Sequence, residues 1–187
     1  RIESFRQLVP ELGAEKSQRL TQQYGIDAVD ASVMAKEREL GELFEKVAGK
    51  VDPVLAARWM RRELRRALTA ADQDVSTVNE AYLIELLRLL QDKVITDRIG
   101  QRLTDRLVKD GISPAQVVKD EGLAAVSDEG SIIPIIDQVI TENPSVVEEY
   151  QKGEQKSFNF LVGQAMKKLK GKGSPALINK VLKERLG

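Results

Sequence analysis

The sequence predicts an all-α fold, in which a helical bundle subdomain is followed by a small helical tail domain. Apolar residues recur at helical spacing along nearly the whole chain. Capping residues, prolines and glycines separate the segments at intervals typical of short helices. No segment alternates apolar and polar residues over more than a few positions, as a half-buried strand would. Aromatic residues make up only 4% of the 187 residues, so aliphatic side chains must fill the core.

The helices predicted before residue 125 each have a start or stop signal. The clearest begins at Asp52-Pro53, because a capping carboxylate followed by proline is typical of a helix start. It extends to about Thr69, and its apolar residues have the spacing of a buried stripe: Ala56, Trp59, Met60, Leu64, Ala67 and Leu68. A helix over 14–24 is ended by Gly25, and the next, over 27–48, is capped by Asp27 and is continuous from Ala35 to Val47 until Gly49. Three more predicted helices follow: 82–90; 96–110, capped by Thr96; and 113–121, begun by Ser113-Pro114.

The tail is expected to begin near Ala124 to Ser127, which gives a helical linker domain over 1–124 and a tail domain over 125–187. A helix over Ile132 to Ile140 should have Pro134 in its first turn, where a missing N–H is tolerated. Three more predicted helices follow, with these signals: Asn143-Pro144 before a short helix to Lys152-Gly153; a helix from Lys156 to Lys170 stopped by Gly171 and Gly173; and Ser174-Pro175 capping a last helix that ends at Leu186.

The absence of cysteine and histidine restricts the chemistry of the chain. Without them there is no disulfide, no thiolate metal site and no Ser-His-Asp or Cys-His catalyst. Carboxylate or lysine chemistry remains possible, but no pair of carboxylates lies in a recognisable site, so we predict no catalytic residue and no metal site. Lack of cysteine fits a cytoplasmic protein, and no apolar run approaches the roughly 20 residues that span a bilayer, so no membrane partner is expected. The chain begins with Arg1 within a helix-like pattern, so we expect it to be part of a longer protein.

The charge of the chain is unevenly distributed although the net charge is zero. From Tyr150 to Gly187 there are nine Lys and Arg residues against two Glu residues, a formal charge of +7, so the preceding residues sum to −7. A basic segment of this kind is typical of a surface that meets a polyanion.

The predicted helix from Lys156 to Lys170 has two distinct sides. Its apolar side contains Phe158, Leu161, Val162, Ala165, Met166 and Leu169. The opposite side contains Lys156, Phe160, Gly163, Lys167 and Lys170, and Gln164 lies beside it. A side-chain-free glycine among lysines would let a sugar-phosphate backbone approach closely, and Lys172 and Asn179 could extend this surface. Alternatively, the lysines favour the helix C-terminus, Gly163 admits a neighbouring helix and Phe160 belongs to the core.

A second basic face lies on the Trp59 helix and contains Arg58, Arg61, Arg62, Arg65 and Arg66. Guanidinium groups bind phosphates with two parallel hydrogen bonds, so this face could contact RNA. It could equally be solvated or touch another part of a parent chain. A third stripe, of Arg98, Arg102, Arg106 and Lys109, is interleaved with Asp97 and Asp105, which favours local ion pairs.

Motifs near the end of the chain resemble the GatB/YqeY family. The resemblance is most specific in the run from Phe160 to Lys167, in Lys170-Gly171-Lys172, and in Pro175 and Asn179. It extends upstream through Tyr150, Val147, Glu142-Asn143-Pro144, Ser127-Asp128-Glu129-Gly130 and the Leu8-Pro10-Glu11-Leu12 opening. Two positions depart from the family pattern: Glu154 follows Gly153 where a lysine is common, and Arg58 lies between Ala57 and Trp59 where asparagine is usual.

The resemblance implies the helical and YqeY-like tail domains that handle tRNA in the B subunit of a heterotrimeric amidotransferase. Such a ligase serves protein biosynthesis by converting Glu-tRNA(Gln) to Gln-tRNA(Gln), and often Asp-tRNA(Asn) to Asn-tRNA(Asn). The resemblance places ATP and Mg²⁺ in another domain of the parent subunit, and implies A and C subunits as partners through the parent chain. The residues that it and the helix pattern together suggest for RNA binding are Lys156, Gly163, Gln164, Lys167, Lys170, Lys172 and Asn179.

Two alternatives accompany this interpretation. The related archaeal subunit GatE shares the tail, but tends to have Gly-Pro-Leu-Met-Gly where this chain has Asn159 through Gly163, so GatB is favoured. The chain could also be a helical protein-interaction module that docks an acidic partner without touching RNA. A membrane-surface module is disfavoured because the basic faces carry few apolar anchors.

Overall fold

The computed structural model describes residues 12–187 and confirms the predicted all-α fold. Its helices are α1 (Gly13–Tyr24), α2 (Ala28–Lys36), α3 (Arg38–Ala48), α4 (Pro53–Trp59), a π-helical turn (Met60–Leu64), α5 (Arg65–Ala70), a 3-10 turn (Val75–Thr77), α6 (Glu80–Gln91), α7 (Asp97–Asp110), α8 (Pro114–Glu121), α9 (Glu129–Glu142), α10 (Pro144–Gln151), α11 (Gln155–Lys168) and α12 (Pro175–Leu186). Extended pairing in this part of the chain is confined to one parallel bridge between Val126 and Gly173. The predicted Leu8-Pro10-Glu11 opening lies outside the described residues.

The chain divides into two compact units. The first contains the residues up to Asp92 together with Gln101–Gln116, and the second contains Lys93–Gly100 and Val117–Gly187. The linker and tail domains assigned above to 1–124 and 125–187 stay a prediction.

The core of the first unit is built on the helix that begins at Pro53. Asp52 caps this helix, since its carboxylate accepts a hydrogen bond from the Val54 amide. All six residues of the predicted apolar stripe are buried, which confirms that prediction. The π-helical turn interrupts this helix without ending it, because Trp59 and Arg65 on either side keep right-handed helical angles. The indole of Trp59 donates a hydrogen bond of 3.0 Å to the hydroxyl of buried Thr104, so its polar atom is satisfied within the core.

The continuous helix expected over Ala35 to Val47 is wrong, because the chain breaks at Glu37. Glu37 adopts extended angles, and α3 begins in a new direction that buries Leu40 and Phe44. Gly41 makes this turn possible: a Cβ there would collide with the backbone carbonyl of Met34. The break thus results from tertiary packing. The sequence near Glu37 contains no proline, so no local signal predicts it.

The core of the second unit is formed by α9, α10, α11 and α12, which pack against one another through aliphatic side chains and Phe158. Side chains cap two of these helices. Asp128 accepts a hydrogen bond from the Ser131 amide at 3.0 Å at the start of α9. Ser174 accepts a hydrogen bond from the Leu177 amide at 3.4 Å, which confirms the predicted start of α12.

The expected position of Pro134 in a first turn is wrong. The Asp128 cap starts α9 at Glu129, earlier than predicted, so Pro134 lies in the second turn. The carbonyl left without its helical donor is that of Gly130, which is exposed and can be hydrated. The predicted break at Asn143-Pro144 is confirmed, with α9 ending at Glu142 and α10 beginning at Pro144.

Candidate nucleic-acid interface

Helix α11 is held in the second unit by its apolar side. Phe158, Leu161, Ala165 and Leu169 are buried, and Val162 and Met166 are partly buried against the same cluster. Phe158 lies 5.4 Å from the ring of Tyr150 and has the ammonium of Lys183 5.8 Å from its ring centre. Because these contacts fix the rotation of α11 about its axis, they also fix which side chains face outward.

The opposite side of α11 is open. Lys156, Phe160, Gly163, Lys167 and, just beyond the helix, Lys170 are all exposed. Phe160 keeps 46% of its surface accessible, so the alternative that places it in the core is wrong. A Cβ on Gly163 would meet nothing within 4 Å, so the alternative that this glycine admits a neighbouring helix has no support in the described part of the chain. These five residues are called the lysine face below.

The remaining predicted residues lie around this face in different ways. Gln164 is half-buried beside it on α11. Lys172 is also half-buried, and its ammonium donates a 3.3 Å hydrogen bond to the carbonyl of Gly122. No carboxylate of residues 12–187 is paired with it. Asn179 is exposed on α12, a different helix from the other predicted residues.

The turn after α11 is anchored at several points. The amide of Gly171 donates to the carbonyl of Met166 at 3.0 Å, which closes the helix end, and the preceding Lys170 has a positive φ of 54°. The hydroxyl of buried Thr96 donates a hydrogen bond to the carbonyl of Gly171 at 2.6 Å. The amide of Val126 donates a hydrogen bond to the carbonyl of Lys172 at 2.8 Å. The turn therefore presents Lys170 and Lys172 from a fixed backbone.

Three residues of the lysine face are unfavourable for the stability of α11 and of the turn that ends it. Lys156 is the second residue of α11, where the helix dipole disfavours a cation. Gly163 lies in the helix interior, where it costs roughly 0.5–1 kcal/mol relative to alanine without any packing reason. Lys170 takes a left-handed conformation that glycine would adopt with less strain. Local structure therefore does not account for these residues, and the dipole alternative fails for Lys156.

Ion pairs decide which cations of the basic segment are available. Four of them are paired with carboxylates of the second unit: Lys152 with Glu148, Lys168 with Glu142, Lys180 with Glu129, and Arg185 with Asp137, at 2.8–3.3 Å. In contrast, Lys156 and Lys167 have no carboxylate partner within residues 12–187. Two of the cations left without a carboxylate partner among the described residues, Lys156 and Lys167, thus lie on the lysine face.

The pairing also shifts pKa values in the directions expected for ion pairs. The hydrogen bond from Lys168 lowers the pKa of Glu142, and the hydrogen bond to Glu129 raises the pKa of Lys180. Both pairs are therefore ionised at neutral pH, and neither lysine offers a free charge to a ligand.

The five-arginine face of the first unit is mostly neutralised. Arg61 is paired with buried Asp30, Arg65 with Glu37 at 2.9 Å, and Arg66 with both Glu63 and Asp105 at 3.0 Å. Only Arg58 and Arg62 are exposed without a carboxylate partner in the part of the chain that the structure describes. Three of the five arginines thus hold helices together, which supports the structural alternative for this face.

Among residues 12–187, no group of three or more His, Asp, Glu or Cys side chains could hold a metal ion. None of the described helices combines the length and the apolarity needed to cross a bilayer.

Phe160 has no predicted role in the site, although its helical spacing was a signal that it would be exposed beside Lys156 and Lys167.

Residues 42–186 match a family described as the GatB domain. The chain is 38% identical over 187 residues to the B subunit of an aspartyl/glutamyl-tRNA(Asn/Gln) amidotransferase of Methanobrevibacter smithii, with 99% of this chain and 42% of that protein covered. The corresponding proteins of Caldanaerobacter subterraneus and Gluconobacter oxydans are each 37% identical, with 98% and 99% of this chain and 39% of each relative covered. The chain spans about two-fifths of the length of the curated relatives it matches.

Proposed function

Because this chain belongs to the GatB domain family, we propose that it is the tRNA-binding, C-terminal portion of the B subunit of an amidotransferase. In the parent protein it holds Glu-tRNA(Gln) and Asp-tRNA(Asn) while the complex converts them to Gln-tRNA(Gln) and Asn-tRNA(Asn). Its partners are tRNA and, through the parent chain, the A and C subunits. The reaction, with its ATP and Mg²⁺, belongs to the parent subunit in the cytoplasm, and this portion positions the substrate.

The lysine face is the observation that carries the proposal. It combines Lys156 and Lys167, which have no carboxylate partner among the described residues, with a glycine that leaves the backbone open, whereas Lys152 and Lys180 are paired. We expect the ammonium groups to neutralise phosphates, since phosphate contacts dominate the affinity of proteins for nucleic acids.

Each remaining predicted residue has a role in this contact. The open backbone at Gly163 lets the sugar-phosphate chain approach, and Gln164 hydrogen-bonds a sugar or base. Lys170, Lys172 and Asn179 extend the surface beyond α11. Because the contacts go mainly to the backbone of the RNA, the surface recognises tRNA shape more than its sequence.

Binding of tRNA to the 187-residue chain across a salt series tests the proposal. Each phosphate contacted by a lysine should contribute about 0.7–0.9 to the slope of log K against log salt concentration. Replacing Lys156 and Lys167 with alanine should therefore lower the affinity and reduce the slope by about 1.4–1.8.

The matched control replaces Lys152 and Lys180 with alanine, which removes the same charge from two exposed lysines that are already paired. It should change the slope much less. Equal slopes for wild type and both variants would contradict the proposal. Binding to an acidic protein but not to tRNA would favour the protein-interaction alternative instead.

A further inference from the structure

We propose that Phe160 and the open backbone at Gly163 form a stacking platform for one unpaired nucleobase of the bound RNA. This inference deepens the proposed function and rests on it. It adds stacking on a base to the phosphate, sugar and hydrogen-bond contacts of the proposed function. The ligand feature is a base at a loop, bulge or end, since a base within a duplex has no free face to offer.

The exposure of Phe160 has no structural explanation in the second unit. It is the only aromatic residue within 12–187 that is exposed, with 46% of its surface accessible. Phe158, two residues earlier, is 4% accessible and packs against Tyr150. The fold thus already has its aromatic core residue on α11, and Phe160 contributes an aromatic surface to solvent.

The surroundings of Phe160 suit a flat ligand. Gly163 lies three residues further on the same side of the helix, and no atom lies within 4 Å of the position that a Cβ would occupy there. A planar base can therefore lie against the ring and extend over the helix backbone, where any larger residue would obstruct it.

The charges around the ring favour a nucleotide over an apolar protein segment. Lys156 lies one turn before Phe160 and Lys167 lies one turn after Gly163, and neither has a carboxylate partner among the described residues. Lysine is depleted at the centre of protein interfaces, whereas exposed aromatic residues among cations are typical of surfaces that bind single-stranded nucleic acid.

The experiment compares Phe160→Leu, Phe160→Tyr and the wild-type chain for tRNA binding at several salt concentrations. Leucine keeps the apolar character of the exposed position and removes the aromatic ring. It should weaken binding by about 5- to 150-fold, the usual effect of losing one stacked base, without changing the salt slope. Tyrosine keeps the ring and should bind within about threefold of wild type. Equal thermal melting temperatures for the three chains will show that the fold is unchanged.

A fully paired RNA duplex with blunt ends serves as the second probe. Because it offers no unpaired base in its interior, wild type and Phe160→Leu should bind it with similar affinity. If Phe160→Leu binds tRNA as tightly as wild type while the Lys156/Lys167 double variant has a reduced slope, stacking is overturned and the proposed function stands. If neither change affects tRNA binding, both inferences fail. An equal loss for the leucine and tyrosine variants would also overturn stacking.

Discussion

At the scale of single residues, the arginines of the first unit show how neighbours in the sequence can have opposite roles. Arg61 is paired with Asp30, whose side chain is only 3% exposed, while the adjacent Arg62 is exposed and has no carboxylate partner in the described part of the chain. Removing the partner of a buried carboxylate destabilises the protein, because the desolvation cost of the carboxylate remains. Removing an exposed cation changes the stability of the protein very little.

We predict that Arg61→Ala lowers the free energy of unfolding by about 2–4 kcal/mol, somewhat less than for a fully buried pair because Arg61 is partly exposed. Urea unfolding followed by circular dichroism measures it. The matched control, Arg62→Ala, should change the free energy of unfolding by less than about 0.5 kcal/mol. Similar losses for the two variants would mean that the buried ion pair does not stabilise the first unit.

At the scale of elements, two glycines of the tail differ in the space that a side chain would find at each position. Gly163 lies within α11 with empty space around it. Gly173 follows the turn after α11, and a Cβ there would lie 2.5 Å from Cδ1 of Leu169 and 2.8 Å from Cδ1 of Ile178. The first glycine is therefore dispensable for folding, whereas a side chain at the second would have to displace the buried ends of Leu169 and Ile178.

We predict that Gly163→Ala raises the free energy of unfolding by about 0.5–1 kcal/mol, since alanine is the better helix former and meets no neighbour. The same variant should bind tRNA more weakly if the backbone at Gly163 contacts the ligand. Gly173→Ala, its control, should lower the free energy of unfolding by about 1–3 kcal/mol by overpacking. Chemical denaturation and a binding titration on the same samples measure both quantities. A Gly163→Ala variant that is stabilised and binds normally would show that this glycine has no part in recognition.

Local signals predicted most elements, and tertiary packing decided the rest. Ser174 caps the helix that its sequence position indicates, because a cap depends only on residues within one turn. The break at Glu37 was not predictable in this way, since it depends on the fit of Gly41 against the Met34 carbonyl. The π-helical turn at Met60–Leu64 also lacks any local signal.

The same division applies to the candidate site. Helical spacing was sufficient to predict that Lys156, Gly163 and Lys167 share an exposed side. It could not show that Lys168 and Lys180 are paired, because Glu142 and Glu129 lie on α9, well before them in the sequence. RNA binding by these residues stays a prediction.

At the scale of the whole molecule, the lack of histidine and cysteine sets the response to pH. Hydrogen bonds lower the pKa of four carboxyl groups: that of Glu45 through Arg19, that of Asp74 through Ser76, that of Asp128 through Ser131 and that of Glu142 through Lys168. Because these pKa values lie below those of the unfolded chain, the stability they contribute is present above about pH 4 and is lost as the pH falls further. At the other extreme, the raised pKa of Lys180 contributes stability that is lost only as the pH rises above about 10.

We predict that the free energy of unfolding is nearly constant between about pH 5 and pH 8 and declines below about pH 4. Urea unfolding at a series of pH values measures it. Asp128→Asn, which keeps a capping oxygen and removes one titrating group, should make the acid decline shallower. A transition in stability with a midpoint of about pH 6.5 would contradict this account, since the sequence contains no histidine.

The bridge between Val126 and Gly173 connects the segment before α9 to the segment after α11. The amide of Val126 donates to the carbonyl of Lys172, and the amide of Ser174 donates to that of Val126. Both bonds can form only when the intervening three helices have folded back on one another, so neither is available to a partly folded tail. In native-state hydrogen exchange, these two amides should therefore exchange together, and with the buried amides of α11, as reporters of the opening of the whole tail rather than of local fraying.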